Sequence, residues 1–265
     1  MRMPRTLRCA GLALVAAAHL ALSPAASGAS EQERQCPVPG SFSAFEPLVP
    51  RTARALAGGQ AVVIVVLGGA SSLGRAAGGA SLSWPARMAG ALTLRFPAAR
   101  IKVMDLAAPR QTAQEAVARL ARDVLPLKPT LVVWETGTME AVRGVGVDEF
   151  RETLETGLDE LLAVGIEVVL MTPQFSRDTD AVIRFDPYLV TMREMADLRD
   201  VPLFHRHGIM RYWAESGMMD LRARTSEGRR ALAERLYECI GRAMADLVAR
   251  DAAGPETPAD PEGRR

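Results

Sequence analysis

Residues 61–74 read AVVIVVLGGASSLG, and this stretch decides the fold class. Its first part, from Ala61 to Leu67, is an apolar run rich in Val and Ile, which is typical of a strand buried in a parallel sheet. The run then breaks into a turn of Gly and Ser that ends at Gly74. Because ligands of open α/β sheets bind just beyond the carboxyl ends of the strands, we expect this turn to face a ligand pocket.

Strand-like runs alternate with amphipathic helical patterns along the chain. Strands are predicted near residues 61–67, 101–106, 130–135, 166–172 and 201–204, and helices near residues 83–96, 112–124, 148–163, 181–198 and 226–249. Such alternation indicates a parallel sheet with helices on both faces. The sequence therefore predicts one domain, residues 30–250, built as a three-layer α/β/α sandwich around a central, mostly parallel, five-stranded sheet of flavodoxin-like type.

The N-terminal segment has the pattern of a secretory signal peptide. Three arginines lie within the first eight residues, an apolar core follows at residues 10–22, and small residues occupy positions 26–29. The apolar core is too short to span a bilayer. We predict a signal peptide over residues 1–29, and an uncleaved anchor is the alternative. The protein is then exported, either periplasmic or secreted, with no transmembrane segment after cleavage.

Cysteine usage agrees with export. Cys36 and Cys239 are the two cysteines beyond residue 29, and an oxidising compartment permits one disulfide between them. Two unpaired thiols are the alternative. His205 and His207 are the histidines beyond residue 29, and their spacing fits no common zinc pattern with these cysteines. We expect no metal and no cofactor.

The overall charge excludes one class of partner. The formal net charge is +1, so nothing indicates a nucleic-acid-binding protein. The C-terminal residues 251–265 are rich in Pro, Asp and Glu, and we predict a disordered tail there.

The Gly-rich turn matches part of the pattern of a phosphate-binding P-loop. Gly69 and Gly74 have the P-loop spacing, but Arg75 stands where Lys is required and Ala76 where Ser or Thr is required. Those two positions contact the phosphates and the magnesium ion, so the pattern fails at the residues that carry its chemistry.

Four segments at predicted strand ends resemble the four sequence blocks of the SGNH (GDSL-like) hydrolase superfamily, in the same order and at similar spacing. The resemblance extends from about Ala61 to Leu247. The four segments are Leu67–Gly74, Leu106–Thr112, Leu131–Glu140 and Met218–Ala223.

The resemblance implies a reacting group at each block, and this chain departs from the family at every one of them. The family's nucleophilic Ser corresponds to Ala70, its oxyanion Gly to Arg110, its oxyanion Asn to Met139 and its catalytic His to Ala223. Asp220 retains the Asp that orients the His. Ala70 has no nucleophilic atom, and Met139 cannot donate a hydrogen bond to an oxyanion.

These departures favour an exported protein with an SGNH-hydrolase-like fold that is not catalytic. Its role would be ligand binding, or that of an accessory or scaffold protein of the cell envelope. The expected ligand is a small anionic or acylated molecule or an envelope polysaccharide, and a protein partner is also possible. The predicted ligand pocket comprises Gly69, Ala70, Ser71, Arg110, Gly137, Met139 and Asp220.

The alternative is an ester hydrolase or O-acyl transferase with a rearranged serine site. Ser71 or Ser72 would be the nucleophile, and His205 or His207 the base, with Asp220 in support. Structural roles are the competing interpretation, in which the serines cap a helix and the histidines pack at the surface.

Arg110 also has two interpretations. A cation at the former oxyanion position could bind a carboxylate or another anion. It could instead form an ion pair with Asp105 or Asp220.

Overall fold

The computed structural model describes residues 36–43 and 48–253. The sheet and helices described below lie in one compact unit that begins at Pro37. The signal peptide predicted for residues 1–29 lies outside the described residues. A 3₁₀ turn, Arg250–Ala253, includes the first three residues of the predicted C-terminal tail. The rest of that tail, residues 254–265, lies outside the described residues.

The centre of the fold is a parallel sheet, as the sequence predicts. Its strand order is β2-β1-β3-β4-β5, and each neighbouring pair is parallel. The order reverses beside β1, so β1 and β3 flank the switch point where ligands of such sheets bind. The strands are β1 (Ala61–Leu67), β2 (Arg100–Asp105), β3 (Leu131–Glu135), β4 (Glu167–Met171) and β5 (Leu203–Phe204).

Helices connect the strands and cover both sides of the sheet, which confirms the α/β/α sandwich. Among the described residues the α-helices are α1 (Gly40–Ser43), α2 (Pro50–Ala57), α3 (Trp84–Arg95), α4 (Ala113–Val117), α5 (Thr138–Arg143), α6 (Val147–Ala163), α7 (Arg177–Asp180), α8 (Asp186–Arg199), α9 (Arg206–Glu215) and α10 (Ser226–Val248). A π-helical turn, Leu120–Val124, follows α4, so the helix predicted over residues 112–124 is divided in two.

The core fills the space between the sheet and its helices. Val65 and Leu67 of β1 join the cluster formed with α4, α6 and α8, while Ile64 and Val66 are equally buried. Both faces of β1 are therefore covered, which explains its nearly continuous apolar sequence. On the other side α3 packs against α10.

Two glycines show how closely neighbouring elements of the fold pack. A Cβ at Gly157 of α6 would lie 2.5 Å from Trp134 Cη2, and one at Gly241 of α10 would lie 2.5 Å from Arg87 Cβ of α3. Both distances are much shorter than a van der Waals contact, so a side chain at either position would clash. The helices can pack this closely because glycine has no side chain.

Two other expectations bear on the chain's environment. Cys36 and Cys239 are both disulfide-bonded, so the predicted disulfide is present. In the part of the chain that the structure describes, no helix has both the length and the apolar composition needed to cross a membrane.

Candidate functional site

The turn after β1 lies at the carboxyl edge of the sheet, beside the end of β3. Ala70 is exposed at its tip, Ser71 is half-buried and Ser72 is fully buried. Gly74 ends the turn with φ 69°, and a Cβ there would collide with the carbonyl oxygen of Gly79. Glycine is therefore needed at this position both for its backbone conformation and for space.

A buried ion pair holds both serines of the turn. The Ser71 hydroxyl donates to Glu135 Oε1 at 2.5 Å, and the Ser72 hydroxyl donates to Oε2 of the same carboxylate at 2.7 Å. Arg206 donates from Nη2 to Glu135 Oε1 at 2.9 Å and from Nη1 to Ser71 Oγ at 3.1 Å. Ser71 thus both donates to the carboxylate and accepts from the guanidinium.

This network depends on a glycine at the end of β1. A Cβ at Gly68 would lie 2.7 Å from Ser72 Oγ and 3.1 Å from Glu135 Oε2. The space that a side chain would need is occupied by the hydroxyl and carboxylate of the network. The first glycine of the turn is therefore explained by this close approach.

Arg206 reaches the network from the β5 end of the sheet. It is the first residue of α9, directly beyond β5, and its Nε donates to the backbone oxygen of Thr172 at 3.2 Å. The Thr172 hydroxyl oxygen accepts from the backbone N–H of His207 at 3.0 Å. The end of β4 thereby fixes the start of α9, so the guanidinium points inward between β3 and the turn.

The ion pair sets the protonation state of the site. The side chains of Arg206 and Glu135 are only 3% and 5% exposed. Burial alone would raise the pKa of Glu135, but the charge of Arg206 and hydrogen bonds from Arg206, Ser71 and Ser72 outweigh it and hold that pKa below its usual range. Glu135 is therefore an ionised carboxylate and a weak proton acceptor.

Two adjoining cavities open beside the turn. The larger, of about 780 Å³, extends from Ala70 and Ser71 to the start of α10. The smaller, of about 160 Å³, lies between the turn, the end of β3 and the loop after β2. Ala70, Ser71 and Gln174 line both, so the turn forms the wall between them.

Most of the ligand-pocket residues predicted from sequence meet in the smaller cavity, which is lined by Gly69, Ala70, Ser71, Arg110 and Met139 among others. Two predicted members do not line it. Gly137 is buried, and a Cβ there would contact Met192 and Pro173. Asp220 is exposed, and its Oδ1 accepts a hydrogen bond from the backbone N–H of Arg222.

Arg110 occupies its position in an unusual backbone conformation. Its φ is 61°, in the left-handed region that favours glycine, which agrees with a glycine position in the related hydrolases. Its carbonyl oxygen accepts from Arg143 Nη2 at 2.8 Å. Within residues 36–43 and 48–253 its guanidinium forms no ion pair, so neither Asp105 nor Asp220 neutralises it.

The histidines line a third cavity, of about 400 Å³, which shares no lining residue with the other two. His207 Nε2 lies 2.8 Å from Asp180 Oδ2, and His205 packs against the ring of Phe42. Burial lowers the pKa of His205. The structure therefore does not bring either histidine to the serine hydroxyls, whose partners are Glu135 and Arg206.

The two central residues of the network were not identified from the sequence. Glu135 is the one charged residue in the otherwise apolar strand β3, and Arg206 stands between two histidines directly after β5. A charged residue at the carboxyl end of a buried strand is the signal that could have found them, since buried charges are normally paired.

Comparison with known proteins identifies a family to which most of this chain matches. The model of the Non-GDSL lipase-like family matches residues 35–254. No curated protein sequence matches the chain significantly.

Solved structures with a similar fold are esterases and other hydrolases. A two-domain esterase active on acetylated mannans has 17% identity and a TM-score of 0.60, over 87% of this chain and 59% of that one. A catalytic mutant of an acetylxylan esterase from Geobacillus stearothermophilus has 21% identity and a TM-score of 0.53, over 68% and 94%. An α/β hydrolase from the metagenome of Lake Arreo, Spain, has 21% and 0.54, over 69% and 96%.

These likenesses show the shared fold. The match to the mannan esterase co-crystallised with mannopentaose covers 52% of that protein's length. This chain therefore corresponds to only part of that enzyme.

Proposed function

The chain belongs to the Non-GDSL lipase-like family, and from this premise we propose that it is a binding protein that has kept the fold and cleft of the SGNH esterases without their hydrolytic chemistry. Its ligand would be an acylated or anionic component of the cell envelope, held in the cleft where a hydrolase holds its ester. A scaffold for a protein partner is the role that would remain if no ligand bound.

One observation carries the proposal. Ala70 and Ala223, which correspond to the nucleophile and the base of the related hydrolases, line the same cavity. The correspondence drawn from the sequence therefore has spatial support, and both reacting groups are replaced by methyl groups. Loss of a single oxyanion donor already lowers the rate of a hydrolase by a factor of about 10²–10³. This chain lacks such a donor at Met139, and it lacks the nucleophile and the base as well.

Ser71 favours a second candidate, an esterase or O-acyl transferase with a shifted nucleophile. The residue lines both cavities, and its hydroxyl donates a hydrogen bond to a carboxylate oxygen 2.5 Å away. A general base works best when its pKa is near the operating pH, whereas Arg206 holds the pKa of Glu135 below its usual range. The same contacts that fix Ser71 therefore make it a poor nucleophile.

Hydrolysis of 4-nitrophenyl acetate and butyrate separates the two candidates. Wild-type protein, Ser71→Ala and Ala70→Ser should all match the background rate, because none of them has both a nucleophile and a histidine beside it. Saturable hydrolysis by the wild type that is lost in Ser71→Ala would instead establish the esterase. The acetylxylan esterase fold makes acetylated xylan a natural third substrate for the same comparison.

We also propose that the protein is exported. The proposal is supported by the signal-like pattern of residues 1–29 and by the disulfide-bonded state of Cys36 and Cys239, since disulfides persist in oxidising compartments. Expression of the full chain, fractionation of the cells and intact-mass measurement should find a product cleaved near Ala29 outside the cytoplasm. Recovery of the full-length mass from the cytoplasm alone would contradict export.

A further inference from the structure

We propose that the larger cavity binds an anionic amphiphile, meaning an alkyl chain that ends in a phosphate or carboxylate. This proposal deepens the proposed binding role by naming a ligand class, and it uses residues that the family resemblance does not single out. Its first observation is the charge of the lining. Four arginines line the cavity, namely Arg75, Arg222, Arg224 and Arg229.

Among the described residues, none of these four charges has a carboxylate partner. Asp178 is the single carboxylate among the residues that line the cavity. None of the four guanidinium groups forms an ion pair with a carboxylate in the described part of the chain; Arg229 Nη1 donates instead to the backbone oxygen of Arg224 at 2.6 Å. Because the chain as a whole carries a net charge of only +1, this is a local excess of positive charge. An anion would relieve the repulsion among these groups and accept their hydrogen bonds.

The second observation is an apolar wall in the same cavity. Leu232 and Leu236 lie one turn apart on α10, so they share a face of the helix, and Leu221 lines the cavity from the preceding loop. Both helix leucines are half-buried and keep part of their surface in the cavity. The volume of about 780 Å³ is within the usual range for small-molecule sites. Cations beside an apolar wall match a ligand with an anionic head and an alkyl chain.

The lining disfavours a neutral polysaccharide. Tyr237 is the one aromatic residue among those that line the cavity, and it is only 6% exposed, so its ring offers little surface for a sugar to stack on. A neutral sugar would also leave the four arginines without counter-charges. The charge and the leucines therefore favour the amphiphile over the carbohydrate.

The test is direct binding of n-octyl phosphate to the purified protein, measured by calorimetry below the critical micelle concentration. We expect it to bind at least tenfold more tightly than inorganic phosphate, which lacks the chain, and than n-octyl glucoside, which lacks the charge. Because exposed charges are screened by salt, affinity should also fall between 50 mM and 500 mM NaCl. Equal affinity for the three probes, or no binding of n-octyl phosphate, would overturn the proposal.

Variants locate the site. The double variant Arg222→Gln with Arg224→Gln should weaken n-octyl phosphate binding at least tenfold, and Leu232→Ala should weaken it by a smaller factor. Arg54→Gln with Arg235→Gln is the matched control, because it also removes two exposed arginines and both of them lie outside the cavity lining. Equal losses in the cavity variant and in the control would show that only net charge matters and would refute the assigned site.

The source of the head group is decided by a further comparison. Vesicles containing phosphatidylglycerol should compete with n-octyl phosphate if the ligand is a membrane lipid, while lack of competition indicates a free amphiphile; binding itself supports the proposal in either case.

Ester hydrolysis by the wild type together with intact n-octyl phosphate binding would refute the non-catalytic role and leave this site standing. The reverse pattern would refute the site and leave the non-catalytic role.

Discussion

Replacement of Glu135 by Gln should strongly destabilise the protein. The substitution removes the one carboxylate that pairs with Arg206 in the described part of the chain, while it keeps the shape of the side chain and an oxygen that accepts from the serines. Arg206 would remain with a side chain that is 3% exposed, and its charge would have no counter-ion in the site. Breaking a buried ion pair by removal of one partner costs about 3–5 kcal/mol, because the remaining charge is left desolvated.

The size of the effect can be compared with an exposed pair of similar geometry. Arg151 and Glu194 form an ion pair at 2.6 Å with side chains that are 37% and 51% exposed. Exposed pairs contribute about 0–1 kcal/mol, so Glu194→Gln should cost less than 1 kcal/mol. The two glutamine variants remove the same charge from pairs of similar length, and the difference between them reflects the burial of the Glu135 pair together with its hydrogen bonds to Ser71 and Ser72.

Urea unfolding followed by tryptophan fluorescence is a suitable assay. Trp84, Trp134 and Trp213 are at most 1% exposed, so unfolding should shift their emission to longer wavelength. A variant carrying both Glu135→Gln and Arg206→Met should lose less free energy of unfolding than the sum of the two single variants, because neither charge is then left unpaired. A cost below 1 kcal/mol for Glu135→Gln, equal to that of Glu194→Gln, would refute the argument.

Acid should reveal the same ion pair in the wild type. The folded-state pKa of Glu135 lies below its ordinary value of 4.5, so its ionisation contributes stability that is fully present above that value and is lost as the pH falls through the folded-state pKa. The difference in unfolding free energy between wild type and Glu135→Gln should therefore stay constant above about pH 5 and shrink as the pH falls below it. A difference that grows on acidification would contradict the sign of this shift.

Four further substitutions test three separate parts of the fold. Ser72→Ala should cost about 1–3 kcal/mol in urea unfolding, because the buried Glu135 carboxylate loses a 2.7 Å hydrogen bond. Gly241→Ala should destabilise the protein by about 1–3 kcal/mol, because the added methyl group overpacks the contact between the helices. Gly90→Ala is the control: Gly90 is helical, its added Cβ would meet no neighbouring atom within 4 Å, and the variant should be more stable by about 0.5–1 kcal/mol. Equal effects of the two variants would refute the close helix packing. Arg110→Gly should raise the free energy of unfolding by up to about 1 kcal/mol by relieving its left-handed backbone, and a clear loss of stability would show that the Arg side chain itself contributes.

The strands could be predicted because their signal is local. β1 is buried on both faces, and such a strand must be apolar at nearly every position, which the run from Ala61 to Leu67 satisfies. Helix α5 was not predicted, because its six residues are too few to display a helical period. Helix α9 was missed for a different reason. It closely follows the two-residue strand β5, and the polar residues around Arg206 at its start give no apolar helical period.

The sequence by itself determined the fold class. The alternation of buried strands and helices specified a parallel sheet, and the resemblance of the four blocks predicts that Ala70, Met139 and Ala223 stand where the SGNH hydrolases have reacting groups. These conclusions depend on which side chains are present and on their order along the chain, and both are properties of the sequence.

Only the tertiary structure decided the partners of the serines. Ser71, Glu135 and Arg206 are separated by 64 and 71 residues along the chain, and they meet because β1, β3 and β5 end at the same edge of the sheet. Arg206 rather than His205 or His207 points toward Ser71 because Thr172 fixes the first turn of α9. Contacts between residues so far apart depend on the packing of the whole sheet, and no local sequence pattern encodes them.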